Sequence, residues 1–519
     1  MGFHNLRQKL IVFAGAALFS VGSTLAIAQS EADLPEIGRP GGEMATKDDL
    51  YAIAMMALRE LRGQGVIIED PESAEYIQSL GSRLAAQSLD GAAHFHYFWY
   101  DEGDVNAEAI PGGVVICNYG TMLATDTESE LAGVLAHETA HITQNHALRG
   151  ARAAERQTLT AAAAMLAAIV IGAMGGGAPA VEGGLAAAQG MMAQAHINYT
   201  RTQENEADRI GMQYLSAAGF DPEGMPDFFE SFEQRYGYAE SLYPKFLIDH
   251  PVTPDRIADA RARAAHLERP RHLVDSVSYG LIKERLRALT ATEDYDILGY
   301  YRKQLNAQSP SLANRYGEAI ALMRLRRPLE AVAILEPLIT QYQSAILLRS
   351  ALGQAQVEAG YVQAGLKTFA NAEVLFPRNV PLTVRYAEAL IRVGRPQQAH
   401  DLLNDLFNTV EPTPVQIQLI AQAANAAGDT GDAYDYMGEY YLSKGNLMLA
   451  TQQFQLALSA PRLTNVQRER FRARLAEVRD FIAEERRANH GRLPGGGDQL
   501  GDGLGERAAL QSAPFPAMP

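Results

Sequence analysis

His137-Glu138-Thr139-Ala140-His141 is the stretch of this chain whose residue types and spacing can do chemistry. Histidines four positions apart project from one face of a helix, one turn above each other. Both imidazoles can then reach a single metal ion, and the glutamate beside the first can take a proton from a water held there. The chemistry implied is metal-assisted hydrolysis. A catalytic zinc site requires three protein ligands and one open position, so a third ligand must come from elsewhere.

The motif needs a helix to hold it. Thr127 and Glu130 read as a capping box, and Leu131, Val134, Leu135 and Ile142 form an apolar stripe, predicting an amphipathic helix over residues 127–149. Upstream, helical patterns cover 46–62 and 72–89, the second opened by Asp70-Pro71. His94 to Tyr100, Val105 to Ile110 and Val114 to Asn118 read as strands, the last two joined by a tight turn at Pro111-Gly112-Gly113. Strands ahead of a helical remainder predict an α+β catalytic domain. His94 and His96 alternate with aromatic residues and read as structural. His146 lies five residues past His141, roughly 140° around a regular helix, and is expected to face away.

A candidate third ligand lies in Glu204-Asn205-Glu206-Ala207-Asp208, which heads a helix running through Ile210, Met212 and Leu215 to Gly219. Glu204 and Asp208 are one turn apart on one face. Glu204 could bind the metal while Asp208 accepts a hydrogen bond from a ligand histidine and fixes its tautomer. Glu206 points elsewhere on that helix. An acidic helix start favoured by the dipole accounts for the same residues without a metal.

The 519 residues suggest two or three domains of ordinary globular composition. Arg7 and Lys9, an apolar run from Leu10 to Leu25, and Ala26-Ile27-Ala28 make the three-part pattern of a secretory signal peptide over residues 1–28, with cleavage expected before Gln29. Its removal takes the formal charge from −16 to −18, an acidic balance that argues against nucleic-acid partners. The single cysteine, Cys117, allows no intrachain disulfide and sits in an apolar strand as a buried small hydrophobe. Residues 29–45 read as a linker. Residues 157–181 carry no charge, are rich in Ala and Gly, and are broken at Gly175-Gly176-Gly177-Ala178-Pro179. They read as an apolar helical hairpin or lid spanning 151–195, with membrane insertion and plain core packing as the alternatives; its surface could touch a membrane peripherally.

The C-terminal half repeats. Ala319, Gly353, Ala387 and Ala421 are spaced by 34 residues, as are Ala331, Gly365, Ala399 and Ala433, and Gly360, Gly394 and Gly428 follow the same period. This is the tetratricopeptide length, predicting an all-α solenoid over 295–485 with a concave surface for peptides or partner proteins. Gly438, Gly445, Ala450 and Ala457 suggest a further unit offset by half a repeat. Arg326 stands where the first unit should have its turn glycine, so that unit departs from the pattern. A metallopeptidase domain over 46–270, a helical connector over 271–294 and a disordered tail over 486–519 complete the division.

His137-Glu138-x-x-His141 with Glu204-x-x-x-Asp208 resembles the gluzincin metallopeptidases of the HtpX and CAAX-prenyl-protease type. Further matches are Asn106-Ala107 before Ile110-Pro111-Gly112-Gly113, Glu130 to Ala136 leading into the motif, and His250-Pro251 with Arg256-Ile257. The resemblance covers about residues 48–265. It implies a zincin-type domain, mostly helical with a small sheet, acting as a zinc endopeptidase with one Zn2+ per chain. His137, His141 and Glu204 would bind the metal and Glu138 would be the general base. The strand holding Asn106 and Ala107 would be an exposed edge beside the cleft, where an extended substrate could pair. His250 could stabilise the oxyanion, occupy the fourth zinc position and hold the enzyme off, or be structural. Signal peptide, peptidase and repeats in this order resemble the periplasmic β-barrel assembly-enhancing proteases of Gram-negative bacteria. That implies unfolded or misassembled outer-membrane proteins as substrates, the β-barrel assembly machinery as a partner of the repeats, and possible chaperone action. A non-proteolytic repeat chaperone or adaptor and a membrane-associated protease are the competing readings.

Overall fold

A computed structural model describes residues 46–89, 94–150, 200–236, 250–270, 275–293, 295–307 and 311–488, with Gly91, Arg152 and Phe246 besides. The signal peptide, the linker, nearly all of the apolar 151–195 segment and the tail beyond 488 lie outside the described residues. Among the described residues no helix is long and apolar enough to cross a membrane.

The first half opens with helices α1 (Lys47–Gln64) and α2 (Pro71–Ala85). Each start is capped by a side chain, Thr46 for α1 and Asp70 for α2, with Pro71 in the first turn of α2. Three strands follow: β1 (His96–Tyr100), β2 (Ala107–Ile110) and β3 (Val114–Asn118). Their order is β1-β3-β2, with β1 parallel and β2 antiparallel to the fully buried β3. Among the described residues strand β2 is therefore an edge. α1 covers one face of the sheet through Ala54, Val114 and Ile116. The other face packs on α2 and on the motif helix, with Tyr97, Trp99, Val115 and Cys117 joining Leu131, Val134 and Leu135 in one core.

After α3 (Tyr119–Ala124) comes the motif helix α4 (Glu128–Thr143). Its start differs from a simple capping box. Thr127 accepts from Glu130 N, but the Glu130 carboxylate reaches one residue further back, to Asp126 N at 2.8 Å. Its end comes earlier than the apolar stripe predicts. Asn145 has φ +53°, a left-handed conformation that asparagine tolerates, and residues 146–150 resume as a separate helical segment. Helix α5 (200–217) then crosses α4 closely. A Cβ on Gly211 would lie 3.0 Å from backbone atoms of Ala136 and His137, so only glycine permits this approach without displacement. Helices α6 (Gly224–Tyr236) and α7 (Pro254–Ala264) complete this half.

α8 (Val277–Thr290) and α9 (Ile297–Ala307) lead into paired helices: α10 (Leu312–Arg324) with α11 (Pro328–Gln341), α12 (Ile346–Glu358) with α13 (Val362–Leu375), α14 (Val380–Arg392) with α15 (Pro396–Phe407), and α16 (Pro414–Ala427) with α17 (Thr430–Ser443). First helices begin at Leu312, Ile346, Val380 and Pro414, so the 34-residue period survives intact. The small residues sit where helices cross; a Cβ on Gly353 would press 2.8 Å from the Phe369 ring. Arg326 adopts φ +59°, doing the work of the turn glycines Gly360, Gly394 and Gly428, so the departing first unit forms its hairpin all the same. α18 (Leu447–Ser459) packs on α17, the offset unit, and α19 (Asn465–Ala488) closes the array, running three residues into the range assigned to the tail.

The halves are not beads on a string. One apolar cluster runs from Ile77 of α2 through Leu281, Ile282 and Leu286 of α8 to Leu352 and Ala355 of α12. α8 is a core element. Over this interface lies a buried clamp: Arg285 Nη2 and Arg385 Nη2 reach Asp70 Oδ1 at 2.6 and 2.7 Å and Glu72 Oε2 at 2.8 and 2.9 Å. Ser350 Oγ donates to Glu72 Oε1. Arg385 and Ser350 belong to repeat helices, so part of the array surface expected to receive partners is spent on α2. Burial alone would raise the Asp70 carboxyl, but the two arginines hold it well below the usual aspartate range. Its contribution to stability is therefore present above the ordinary aspartate pKa and is lost only as pH falls through the depressed value. Arg285→Ala leaves both acids buried and should cost about 3–5 kcal/mol. Thermal unfolding of the purified protein checks this; Glu469→Ala, which breaks an exposed pair with Arg472, should leave the midpoint in place.

Candidate metal centre and cleft

His137 and Glu138 are buried on α4 among alanines, valine and leucines. Buried polar groups must find partners. His137 finds them on two sides. Its Nδ1 lies 2.9 Å from Asp208 Oδ1, somewhat off the line of an ideal hydrogen bond. Its Nε2 lies 3.0 Å from His141 Nε2, 3.4 Å from Glu204 Oε2 and 3.3 Å from His250 Nδ1. His141 Nε2 is 3.4 Å from Glu204 Oε1, and His250 Nδ1 is 3.2 Å from either Glu204 oxygen.

These separations are diagnostic. Ligand bonds of about 2.0–2.1 Å arranged as a tetrahedron have edges of about 3.3 Å. The separations here are of that order, 3.0 to 3.4 Å, with His137 and His141 meeting different oxygens of Glu204. Two histidines and a carboxylate are the donor set zinc prefers, and the four residues bring ligand atoms within 4.8 Å of one another. The residues fit the metal. His250 joins this group through Nδ1, with its ring 5.2 Å from Phe246, which packs on Phe228 and Phe232.

The protonation pattern follows from the crowding. Burial disfavours a charged His137, but Asp208 and Glu204 outweigh it and raise its pKa to about 10. Burial pushes His141 down to about 3 despite Glu204. Glu204 is held well below the usual range, burial being overcome by His137, His141 and His250. Metal loading must expel the proton on His137, so affinity weakens as pH falls. Burial raises Glu138; its Oε1 has no hydrogen-bond partner among the described residues and lies 3.5 Å from His250 Nε2.

Arg256, whose role the sequence did not reveal, organises the acids. Its Nε and Nη2 grip Asp208 as a fork at 2.8 Å, while Nη1 lies 3.0 Å from Glu204 Oε2 and donates to Pro251 O at 2.9 Å. Glu204, Asp208 and the residue after His250 are thus tied to one side chain. The only signal was the pairing of Arg256 with His250-Pro251 in the family resemblance.

His146 does not face away. The turn at Asn145 swings it back so that its Nδ1 lies 3.0 Å from His141 Nδ1, and its Nε2 lies 3.1 Å from Glu206 Oε2. One continuous helix through residue 146 would have turned it outward. His146 touches the outer nitrogen of His141 and stands apart from the tetrahedral group. Glu206, expected to point elsewhere, is its partner.

A cleft of about 1220 Å³ opens onto the centre, lined by Ala107, Glu108 and Ala109 of β2, by Leu50 and Tyr51 of α1, and by Glu138. Asn106 is not among its lining residues. Its N–H donates to Thr121 Oγ1 and its C=O accepts from Asn118 N and Thr121 Oγ1, so its backbone is directed inward. In an antiparallel ladder alternate residues point their backbone groups to opposite sides. Ala107 and Ala109 therefore turn theirs away from β3; Ala107 is buried, and the strand reaches the surface at Glu108 and Ala109. His96 Nε2 contacts Tyr51 Oη at 3.2 Å, a structural role; His94 lies on the cleft rim outside the tetrahedral group. Cys117 is buried, which pushes its thiol far up and leaves it inert.

Residues 71–264 match peptidase family M48. The β-barrel assembly-enhancing protease of Escherichia coli is 30% identical over 486 residues, covering 92% of this chain and 98% of the relative. The chain belongs to peptidase family M48. The protein of that name from Yersinia pestis is 29% identical over 450 residues, covering 86% and 91%. The metalloprotease LoiP of Escherichia coli is 27% identical over 203 residues, covering 37% of this chain and 72% of its own length. This M48 member is a zinc metallopeptidase followed by a helical repeat array. Asp208→Asn should keep the fold and weaken zinc binding about 10–100-fold, as read by competition with a chromophoric chelator. Gly211→Val, which drives a side chain into the Ala136–His137 backbone, should lower zinc content at equal protein concentration.

Proposed function

We propose that this chain is a periplasmic zinc endopeptidase, exported on residues 1–28 as a cleavable signal peptide, that degrades misfolded or stalled outer-membrane β-barrel proteins. It also assists productive precursors in a chaperone-like way. The observation that carries the reading is the β2 edge lining the cleft beside the metal centre, which reaches the surface at Glu108 and Ala109: it suits extended, strand-forming segments over compact ones. Relatives matching nearly the whole chain are named for β-barrel assembly, which supports the same substrate class. The repeats, whose surface is only partly taken by α2, dock on the assembly machinery.

In this reading His137, His141 and Glu204 hold zinc, and Asp208 orients His137. Zinc, when bound, supplies a Lewis acid and lowers the pKa of its water toward about 7. Glu138, buried and held basic, takes a proton from the attacking water and later gives it to the leaving amine. The β2 edge aligns the chain to be cut. His250 keeps the resting enzyme closed. The place of its Nδ1 among the ligand atoms supports that role over oxyanion stabilisation, because a fourth ligand would take the open position that a catalytic site needs.

The test is degradation of an unfolded β-barrel precursor by the purified protein beside its Glu138→Gln variant. Cleavage should be lost in the variant with zinc retained. No cleavage by either, with zinc bound, would favour a non-proteolytic repeat chaperone. In the same assay His250→Ala should cleave faster than the parent; slower cleavage would return His250 to the oxyanion role.

A further inference from the structure

The second ligand histidine has a support of its own. His141 aims Nε2 at the tetrahedral group and Nδ1 at His146. The two rings meet edge to face, centroids 4.8 Å apart at 83°, and His146 is buried. Beyond it, Glu206 Oε2 receives both His146 Nε2 at 3.1 Å and Arg149 Nη1 at 2.7 Å. Gln203 Nε2 donates to the His146 carbonyl at 2.8 Å. His146 is therefore fixed at its ring and at its backbone.

Two imidazoles meeting nitrogen to nitrogen can share only one proton, which orders the whole chain. A ligand nitrogen must present its lone pair, so the proton of His141 sits on Nδ1. Nδ1 of His146 must then accept, which places the His146 proton on Nε2, facing the Glu206 carboxylate. Every donor meets an acceptor. The opposite assignment would put a bare Nε2 against a carboxylate and a proton on the nitrogen needed for the metal.

We propose that His146 and Glu206 are positioning residues for zinc, locking His141 in the tautomer and ring orientation that bind it, as Asp208 does for His137. The two ligand histidines then have unlike supports, a carboxylate directly for one and an imidazole backed by a carboxylate for the other. The strained turn at Asn145 is what brings His146 into reach. The inference rests on the metal site proposed above and not on the substrate.

The experiment measures zinc affinity by chelator competition at fixed pH, and the visible absorption of the Co2+-substituted protein, for the full chain and its variants. His146→Ala should weaken zinc about 10–100-fold and shift the cobalt band. His146→Gln, whose amide oxygen can accept from His141, should recover part of both. Glu206→Gln, nearly isosteric, should give a smaller loss with the same direction of spectral shift, and carries the test if His146→Ala does not fold. Zinc affinity within twofold of the parent and an unchanged cobalt band would overturn the proposal, even with a lowered melting temperature of the metal-free protein, because that pattern belongs to a packing role. Neither readout needs a substrate, so failure of the proteolytic reading would show separately, as absent cleavage by a normally loaded parent.

Discussion

The Arg256 guanidinium is buried between two carboxylates that zinc chemistry needs ionised. Glu204 must be charged to serve as a ligand, and Asp208 must be charged to hold the His137 proton. Neither acid is exposed to water, and an isolated carboxylate in such a place would take up a proton. Arg256 prevents this at Asp208, while His137, His141 and His250 hold Glu204 ionised, and the Arg256 charge is itself stabilised by both acids against burial. Its planar fork holds Asp208 through two nitrogens and reaches Glu204 and the Pro251 carbonyl with the third. Lysine could not span these partners. The donor atoms from α4, from α5 and from the segment carrying His250 meet because one cation from α7 binds two of these elements at once.

A second buried charge cluster does related work at the interface between the halves. Asp70 caps α2, and α2 packs on the sheet through Gly81, where a Cβ would enter the Tyr97 ring. Tyr97 Oη in turn meets Thr139 Oγ1, inside the metal motif, at 2.8 Å. Arg285 and Arg385 therefore fix the end of a helix whose middle buttresses the catalytic helix. Ionic pairs alone would make a poor adhesive, since desolvation offsets much of their attraction. The continuous apolar cluster from Ile77 to Ala355 supplies the burial, and the pairs set the register in which it occurs.

What could be read from the sequence was periodic or local. The metal motif, β3 and the 34-residue array follow from spacing alone, because helix, strand and repeat geometry map directly onto intervals between residue types. What could not be read depended on a single backbone angle or on distant partners. His146 was misplaced because a positive φ at Asn145 breaks the helix, and asparagine there signals this only weakly. Asn106 was grouped with Ala107, although the phase of the ladder, set by Asn118 and Thr121, turns its backbone inward. Arg326 lacks the glycine of the other turns, yet it takes the same left-handed conformation and its hairpin forms. The role of Arg256 and the contact of Arg385 with α2 were invisible, since nothing local distinguishes an arginine that spans 48 or 315 residues from one in solvent.

If His250 closes the metal site as proposed, it and a substrate strand on β2 set opposite demands on the same few ångströms. In the function proposed above, a substrate laid along β2 would bring its carbonyl toward the place His250 takes at rest, so that binding and the resting geometry would compete for one position. Their difference in free energy decides whether an occupied cleft is an active one. A short pairing edge gives few hydrogen bonds with which to win that competition. Additional binding from elsewhere on the protein would help, and a repeat array joined to the peptidase by a shared core is placed to provide it by raising the local concentration of a tethered segment at the cleft. On this view the fusion of the two halves makes cleavage conditional on a segment being held long enough to displace His250. Segments that fold promptly would leave the edge before that happens, whereas stalled ones would remain.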